Sequence, residues 1–355
     1  MSDGGETGGK ARAKTRPGNF FEDYAVGQVL THAVPRTVTA GDRAVYTAIY
    51  PTRFAIYSSD AFARACGLEA SPLEDLAAFH IVFGKTVPDV SLNAIANLGY
   101  AEGRFLRPVY AGETLTATSE VIGLKENSNR KSGVVWVRTT GRRDDGEAVL
   151  SYVRWVMVRK RDPEAAVAAP VVPTLAKAVA AEDLVVPEGL DFSRYDFGLA
   201  GEPHRWGDYR VGERIAHGER ASVEEAEHMA ITRLWQNTSR VHFDRTARPD
   251  GRLLIYGGHV ISLARAMSFS GLANAQMIVA LNAGAHANPC FAGDTVEAWS
   301  EVLDKAETGR PDVGALRLRL VAVKAGEHGF DLRGEDGKYL PHVLLDLDYW
   351  ALIPR

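Results

Sequence analysis

The 355-residue sequence predicts an α+β protein of two tandem units, each a long central helix wrapped by an antiparallel sheet. Three observations point there. The chain is longer than one small core needs, and two domains of ordinary size would each bury most of their apolar surface. The stretch FFEDYAVGQVLTHAVPRTVT near the start returns as HRWGDYRVGERIAHGERASV in the second half, the mark of a repeated unit. Both halves close on segments whose apolar residues alternate with polar ones, as strands with one buried face do.

Residues 1–18, MSDGGETGGKARAKTRPG, are Gly-rich and charged without an apolar run, so a disordered arm is expected and a secretory signal is not. The first unit, 19–162, opens on DYxVGxxxxH, which recurs without a gap: Asp23 and Asp208, Tyr24 and Tyr209, Gly27 and Gly212, His32 and His217 all differ by 185. The same register sets Thr47 on Thr232 and Tyr50 on Trp235. A helix is expected over VPDVSLNAIANLG in the first unit and over GGHVISLARAMSFSGLANA in the second, where apolar and small residues recur at helical spacing. Further on, RPVYAGETL matches NPCFAGDTV at an offset of 181, through Gly112 with Gly293 and Thr114 with Thr295. The segments VVWVRTTG and AVLSYVRWVMVRK, then ALRLRLVAVK and VLLDLDYWALI, predict long antiparallel strands. Between the units, 163–200 is rich in Ala, Pro and Val without amphipathic period and predicts an extended linker; the second unit is 201–355.

Composition excludes several partners. With 46% hydrophobic and 24% charged residues the chain is globular in character, and a net charge of −4 offers no field to gather nucleic acid. No run approaches the roughly 20 apolar residues of a membrane span. Cys66 and Cys290 stand far apart without CxxC or CxxH spacing, so neither a disulfide framework nor a cysteine metal site is indicated, and a cytoplasmic location is expected. His80, His217 and His228 lack metal-ligand spacing, and no GxGxxG, GxxxxGKS/T, HExxH or GxSxG context occurs. Nucleotide, zinc and α/β-hydrolase chemistry are set aside on that ground.

The window QNTSRVHFD places His242 between Val241 and Phe243. Such a histidine reads either as a satisfied core residue or as a proton carrier. The repeat separates the two: Tyr57 holds the equivalent position in the first unit, whereas a purely structural site would tend to keep one residue type in both copies. The asymmetry points to one working site per double unit.

One long helix per unit, with PVYAGETL at the start of a strand and GDTV in its twin, resembles the hotdog fold of the MaoC-like hydratases, here as a double hotdog. QNTSRVHF, FHIVFGKTVPDVSLNAIANLGY, YGGHVISLARAMSFSGLANA and NPCFAGDTVEAWSE are similar to the members of that family that act on mesaconyl-CoA, over nearly the whole chain from Phe20. The resemblance implies reversible hydration of an enoyl-CoA thioester, mesaconyl-CoA giving β-methylmalyl-CoA. It also implies an acyl-CoA as the ligand, no metal and no redox cofactor, and an internal pseudo-dimer that assembles further to a homodimer. A thioesterase and a non-catalytic acyl-CoA-binding protein are the alternatives on the same fold.

Adding water across a C=C conjugated to a thioester needs a base for the water, an acid for the α-carbon and donors for the enolate oxygen. His242 suits the first, because imidazole exchanges protons near neutral pH. The family pattern D-x-N-P-x-H has an aspartate five residues before the histidine; here Asn237 stands there and Ser239 takes the place of the family's asparagine. Asn237 can orient water but cannot serve as a base. Asp89 is a candidate acid, since related dehydratases take a carboxylate from the helix of the neighbouring unit; its other reading is a helix-start carboxylate following Pro88. Asp244 is a third option, or a residue that only fixes the imidazole tautomer. For the enolate oxygen, YGGHVIS opens a helix whose first amides are free. By family comparison Gly258 supplies such an amide, with Gly257 before it and His259 behind, although a tight turn at positive φ would need the same glycines. The phosphates of CoA and the substrate's free carboxylate call for arginine or lysine. Arg53, Lys85, Arg240 and Arg265 lie beside these motifs, each also readable as a solvated surface residue.

Overall fold

The computed structural model describes residues 14–355. The first half runs β1 (Val29–Thr37), α1 (Ala40–Ile49), α2 (Ala55–Ser58), α3 (Asp60–Ala65), α4 (Asp75–Thr86), β2 (Ala94–Phe105), β3 (Thr114–Glu126), β4 (Ser132–Arg143) and β5 (Ala148–Arg159). After a mostly irregular segment comes the short α5 (Phe197–Ala200). The second half repeats the plan as β6 (Arg214–Ser222), α6 (Glu225–Leu234), α7 (Gly257–Met267), α8 (Phe269–Leu272), β7 (Met277–His286), β8 (Thr295–Glu307), β9 (Val313–Lys324) and β10 (Val343–Pro354). These strands form one sheet in the order β1-β3-β4-β5-β2-β7-β10-β9-β8-β6. Its halves meet where β2 pairs antiparallel with β7, Tyr100 opposite Gly284 and Arg104 opposite Ala280. Two hotdog units thus share one continuous sheet, as the double-hotdog resemblance implies.

The repeated sequence has a repeated physical use. Gly27 (φ +83°) and Gly212 (φ +86°) make matching left-handed turns before β1 and β6, a conformation that costs a side chain but not glycine. His32 pairs through Nε2 with Ser119 Oγ at 2.7 Å, and His217 with Ser300 Oγ at 2.8 Å, so each tethers the outermost strand of its unit to its neighbour, β1 to β3 and β6 to β8.

The helix of the second unit begins where the sequence predicts it, but the helix of the first does not. VPDVSLNAIANLG forms one π-helical turn (Val87–Ser91) and the start of β2, while the long helix is the preceding DLAAFHIVFGKT. Every residue of α4 is buried, so no polar stripe marks its period. In β2, breaks in the pairing with β5 between Ala94 and Ala96, Asn97 and Gly99, and Ala101 and Arg104 erase the alternation expected of a strand.

A single apolar cluster joins α4 and α7 to the sheet, with Leu76, Phe79, Val82, Ile261 and Ala264 at its centre. Burying a side chain of Phe or Leu size contributes about 1.5–3 kcal/mol, which is why these helices need no strong capping. His80 Nε2 meets Ser262 Oγ at 2.9 Å and ties the two helices together inside that core. The segment expected as a linker is extended but packed: Val179, Leu190, Phe192 and Tyr195 join a second cluster with Phe54, Phe62 and Trp350. Of the arm expected over 1–18, residues 1–13 lie outside the described residues, and beyond them Asn93 Nδ2 donates to the Pro17 and Asn19 carbonyls. Among the described residues no helix is long and apolar enough to cross a membrane.

Candidate active site

A cavity of about 250 Å³ opens where the two units meet. The first unit lines it with Phe83, Ser91, Asn97, Tyr100 and Arg154, and the second with Asn237, His242, Tyr256, Gly257 and His286. Among the described residues no aspartate or glutamate lines it.

His242 ends a single 3-10 turn, Arg240–His242, and is buried. Its Nδ1 donates to the Leu254 carbonyl at 2.7 Å, which leaves the Nε2 lone pair as the basic atom. Burial pushes its pKa down to about 4, against the opposing pull of that hydrogen bond, so the imidazole is neutral at pH 7. Asn237 is also buried in the wall, its Oδ1 accepting from the Ser239 amide at 3.0 Å, so its amide nitrogen remains as donor. Its place depends on Gly84 of α4: a Cβ there would collide with the Trp235 carbonyl and press on the Asn237 amide. We expect Gly84→Ala to cost about 1–3 kcal/mol by overpacking and to slow turnover with it, read by denaturant unfolding and a parallel rate assay.

The start of α7 is held from below. His228 Nε2 accepts from the Tyr256 amide at 2.9 Å, and burial pushes His228 down to about 3, which keeps it a neutral acceptor. The His259 amide closes the first turn on the Tyr256 carbonyl at 2.8 Å. The amides of Gly257 and Gly258 precede any intrahelical acceptor and make no backbone hydrogen bond among the described residues. Neither glycine has positive φ, which corrects the turn expectation; close packing is the reason for both. A Cβ on Gly257 would enter the His286 ring, and one on Gly258 the Tyr256 and His80 rings. Gly257 lines the cavity, whereas Gly258 is buried behind it.

Several expected residues lie elsewhere. Asp89 sits in the π-helical turn after α4, not at a helix start and not in the cavity wall; its carboxylate pairs with His32 Nδ1 at 2.8 Å, which removes it as a partner of His242. Arg53 is half-exposed and bound to Glu219, Arg240 is exposed, and Lys85 is buried with its ammonium on the Val34 carbonyl. His259 is buried behind the wall with Nδ1 at 2.9 Å from the Tyr50 hydroxyl. Asp244 is exposed and accepts from the Thr246 amide and hydroxyl. Arg265 is buried, but Ser268 and the carbonyls of Ala275 and Gln276 take its hydrogen bonds.

In the first unit the counterpart position is plugged. Tyr57 donates to Asp75, which also accepts from the Ile278 amide at 2.7 Å, and Thr52 donates to Glu74. About 10 Å³ remains beside Tyr57 and Glu74. Sequence reasoning missed Arg154, Asn97, Tyr256 and His286. A charged residue amid the apolar SYVRWVMV, in a segment read as a long antiparallel strand, is the one signal of the first.

The chain matches the model of the mesaconyl-CoA hydratase family over residues 8–330. It is 73% identical to mesaconyl-CoA hydratase of Cereibacter sphaeroides over 342 residues, 96% of this chain and 100% of the relative. It is 55% identical to β-methylmalyl-CoA dehydratase of Chloroflexus aurantiacus, over 97% and 99% of the two chains. A solved MaoC domain protein from Chloroflexus aurantiacus superposes with a TM-score of 0.95 at 55% identity, covering 97% of this chain and 99% of that one. A double-hotdog protein of Mycobacterium tuberculosis shares the fold with a TM-score of 0.77 at 23% identity, over 96% and 99% of the chains. With a family model spanning most of its length and full-length relatives this similar, the chain belongs to the mesaconyl-CoA hydratase family.

Proposed function

We propose that the chain is a hydro-lyase that adds water reversibly to mesaconyl-CoA and forms β-methylmalyl-CoA. The observation that carries this is a neutral, buried imidazole, His242, in the same cavity wall as the open start of α7. His242 Nε2 accepts a proton from water while the oxygen adds to the β-carbon, and Asn237 orients that water. The charge developing on the thioester oxygen is met by the Gly257 amide at the positive end of the α7 dipole. With no carboxylate in the wall, the imidazolium itself returns the proton to the α-carbon, and burial, which disfavours the charged ring, drives that return.

Acid–base chemistry of this kind requires no metal or redox cofactor. The same reading includes an N-terminal unit of 19–162, a linker of 163–200 and a C-terminal unit of 201–355, a cytoplasmic location and assembly to a homodimer. The test is the fall in enoyl-thioester absorbance with mesaconyl-CoA, followed with a thiol reagent present. Loss of absorbance without thiol supports a hydratase, thiol release indicates a thioesterase, and binding without turnover indicates a carrier.

A further inference from the structure

Arg154 is fully buried, the seventh residue of β5, and opposite Tyr100 across the β2–β5 ladder. Its guanidinium carbon stands 4.2 Å from the centre of the Phe83 ring. Nη2 donates to Thr86 Oγ1 at 2.7 Å and Ser91 Oγ at 3.3 Å, while Nε and Nη1 are buried without a partner among the described residues. No carboxylate forms an ion pair with it among the described residues. Asn97, in the same cavity wall, also has both side-chain amide atoms buried and unpartnered.

A buried guanidinium carries its charge with it, and an uncompensated charge in the interior is costly. Arg265 shows how this protein satisfies a buried arginine when the role is packing: a serine and two carbonyls take its hydrogen bonds. Arg154 is different, with two donor nitrogens idle beside an open cavity. Nothing in the repeat demands it either, since the seventh residue of β10, the corresponding strand, is Tyr349. A carboxylate is the ligand whose two oxygens match a guanidinium fork.

We infer that Arg154, with Asn97 beside it, binds the free carboxylate of the acyl group and makes the enzyme selective for dicarboxylic enoyl thioesters. This rests on the hydratase reading above, in which the substrate carries a carboxylate on its β-carbon. Arg154 is then a specificity residue: it fixes the far end of the acyl chain while His242 acts on the double bond.

The test compares mesaconyl-CoA with 2-methylcrotonyl-CoA, the same thioester with a methyl group in place of the carboxylate, on wild-type protein, Arg154→Gln and Arg154→Lys. Rates and calorimetric dissociation constants are both measured, and circular dichroism checks folding. For Arg154→Gln we expect kcat/KM and affinity for mesaconyl-CoA to fall about 10²–10³-fold, with the neutral thioester changed by no more than about threefold. Arg154→Lys, which keeps the charge but not the fork, should fall between. An equal loss on both thioesters, or a wild-type enzyme that handles them equally well, overturns the inference. Wild-type protein that hydrates neither overturns the hydratase reading instead, and the binding constants then decide the arginine: charge-selective binding lost in Arg154→Gln supports it, and unselective binding sinks it. If Arg154→Gln does not fold, Arg154→Lys and the wild-type discrimination between the two thioesters decide between the same two outcomes.

Discussion

Replacing His242 with alanine is expected to lower the turnover of mesaconyl-CoA by about 10²–10⁴-fold, the usual contribution of a positioned general acid and base. The loss should be in kcat more than in KM, because in the proposed reaction the imidazole acts on the water and the α-carbon while Arg154 holds the acyl carboxylate. Folding should survive. The substitution leaves the Leu254 carbonyl without its donor in a buried setting, a penalty of about 1–3 kcal/mol, set against the whole stability of a large two-unit core. Thermal unfolding followed beside a saturating-substrate assay separates the two effects. An alanine variant that folds and turns over at the wild-type rate would return His242 to the role of core filler and leave the hydration without a base.

Acidification should unfold the protein cooperatively between pH 6.5 and 4. Burial lowers the pKa of His80 and His228 to about 3, and of His217, His242, His259 and His286 to about 4, from an ordinary value of 6.5. In that window the unfolded chain binds protons that the folded chain refuses, so stability present above pH 6.5 is lost as pH falls towards 4. Two groups act the other way: burial raises Glu74 and Asp75 to about 7, so the folded state holds protons there that the unfolded state releases. These six imidazoles against two carboxylates leave a net excess of four protons on the unfolded chain, a slope of about 5 kcal/mol per pH unit from these groups. Urea midpoints measured from pH 7.5 downward test this, and a stability that does not change with pH across the window would contradict it. Within the range where the fold persists His242 stays neutral, so kcat/KM should show no acid limb near 6.5.

Much of this architecture is legible in the sequence because the repeat is written in residues with local jobs. The DYxVGxxxxH signature encodes a left-handed glycine turn and a histidine tether, and AGETL and AGDTV encode the turn into the second long strand of each unit; such short-range constraints leave the same letters twice. His242 against Tyr57 is readable for the same reason, as a change of residue type in the register that the signature sets. The first helix is less readable, because a helix buried on all sides has no polar face to give it a period, and the bulged strand after it has lost its alternation.

By itself, then, the sequence determined the two-unit plan, the strand-rich halves and the family, and it singled out His242 as a candidate. Only the tertiary structure decided what faces His242. Asp89, expected beside it, is turned to His32 by the π-helical turn that ends α4, and Gly257 rather than Gly258 reaches the cavity because the latter packs under the Tyr256 and His80 rings. Arg154 comes to the cavity from a strand of the other unit, through pairings of β5 with β2 and β2 with β7 that join residues far apart in the chain. Local propensity fixes a turn or a helix start within a few residues, but which side chains converge on one cavity depends on strand register and helix rotation, and those are set by how the whole core packs.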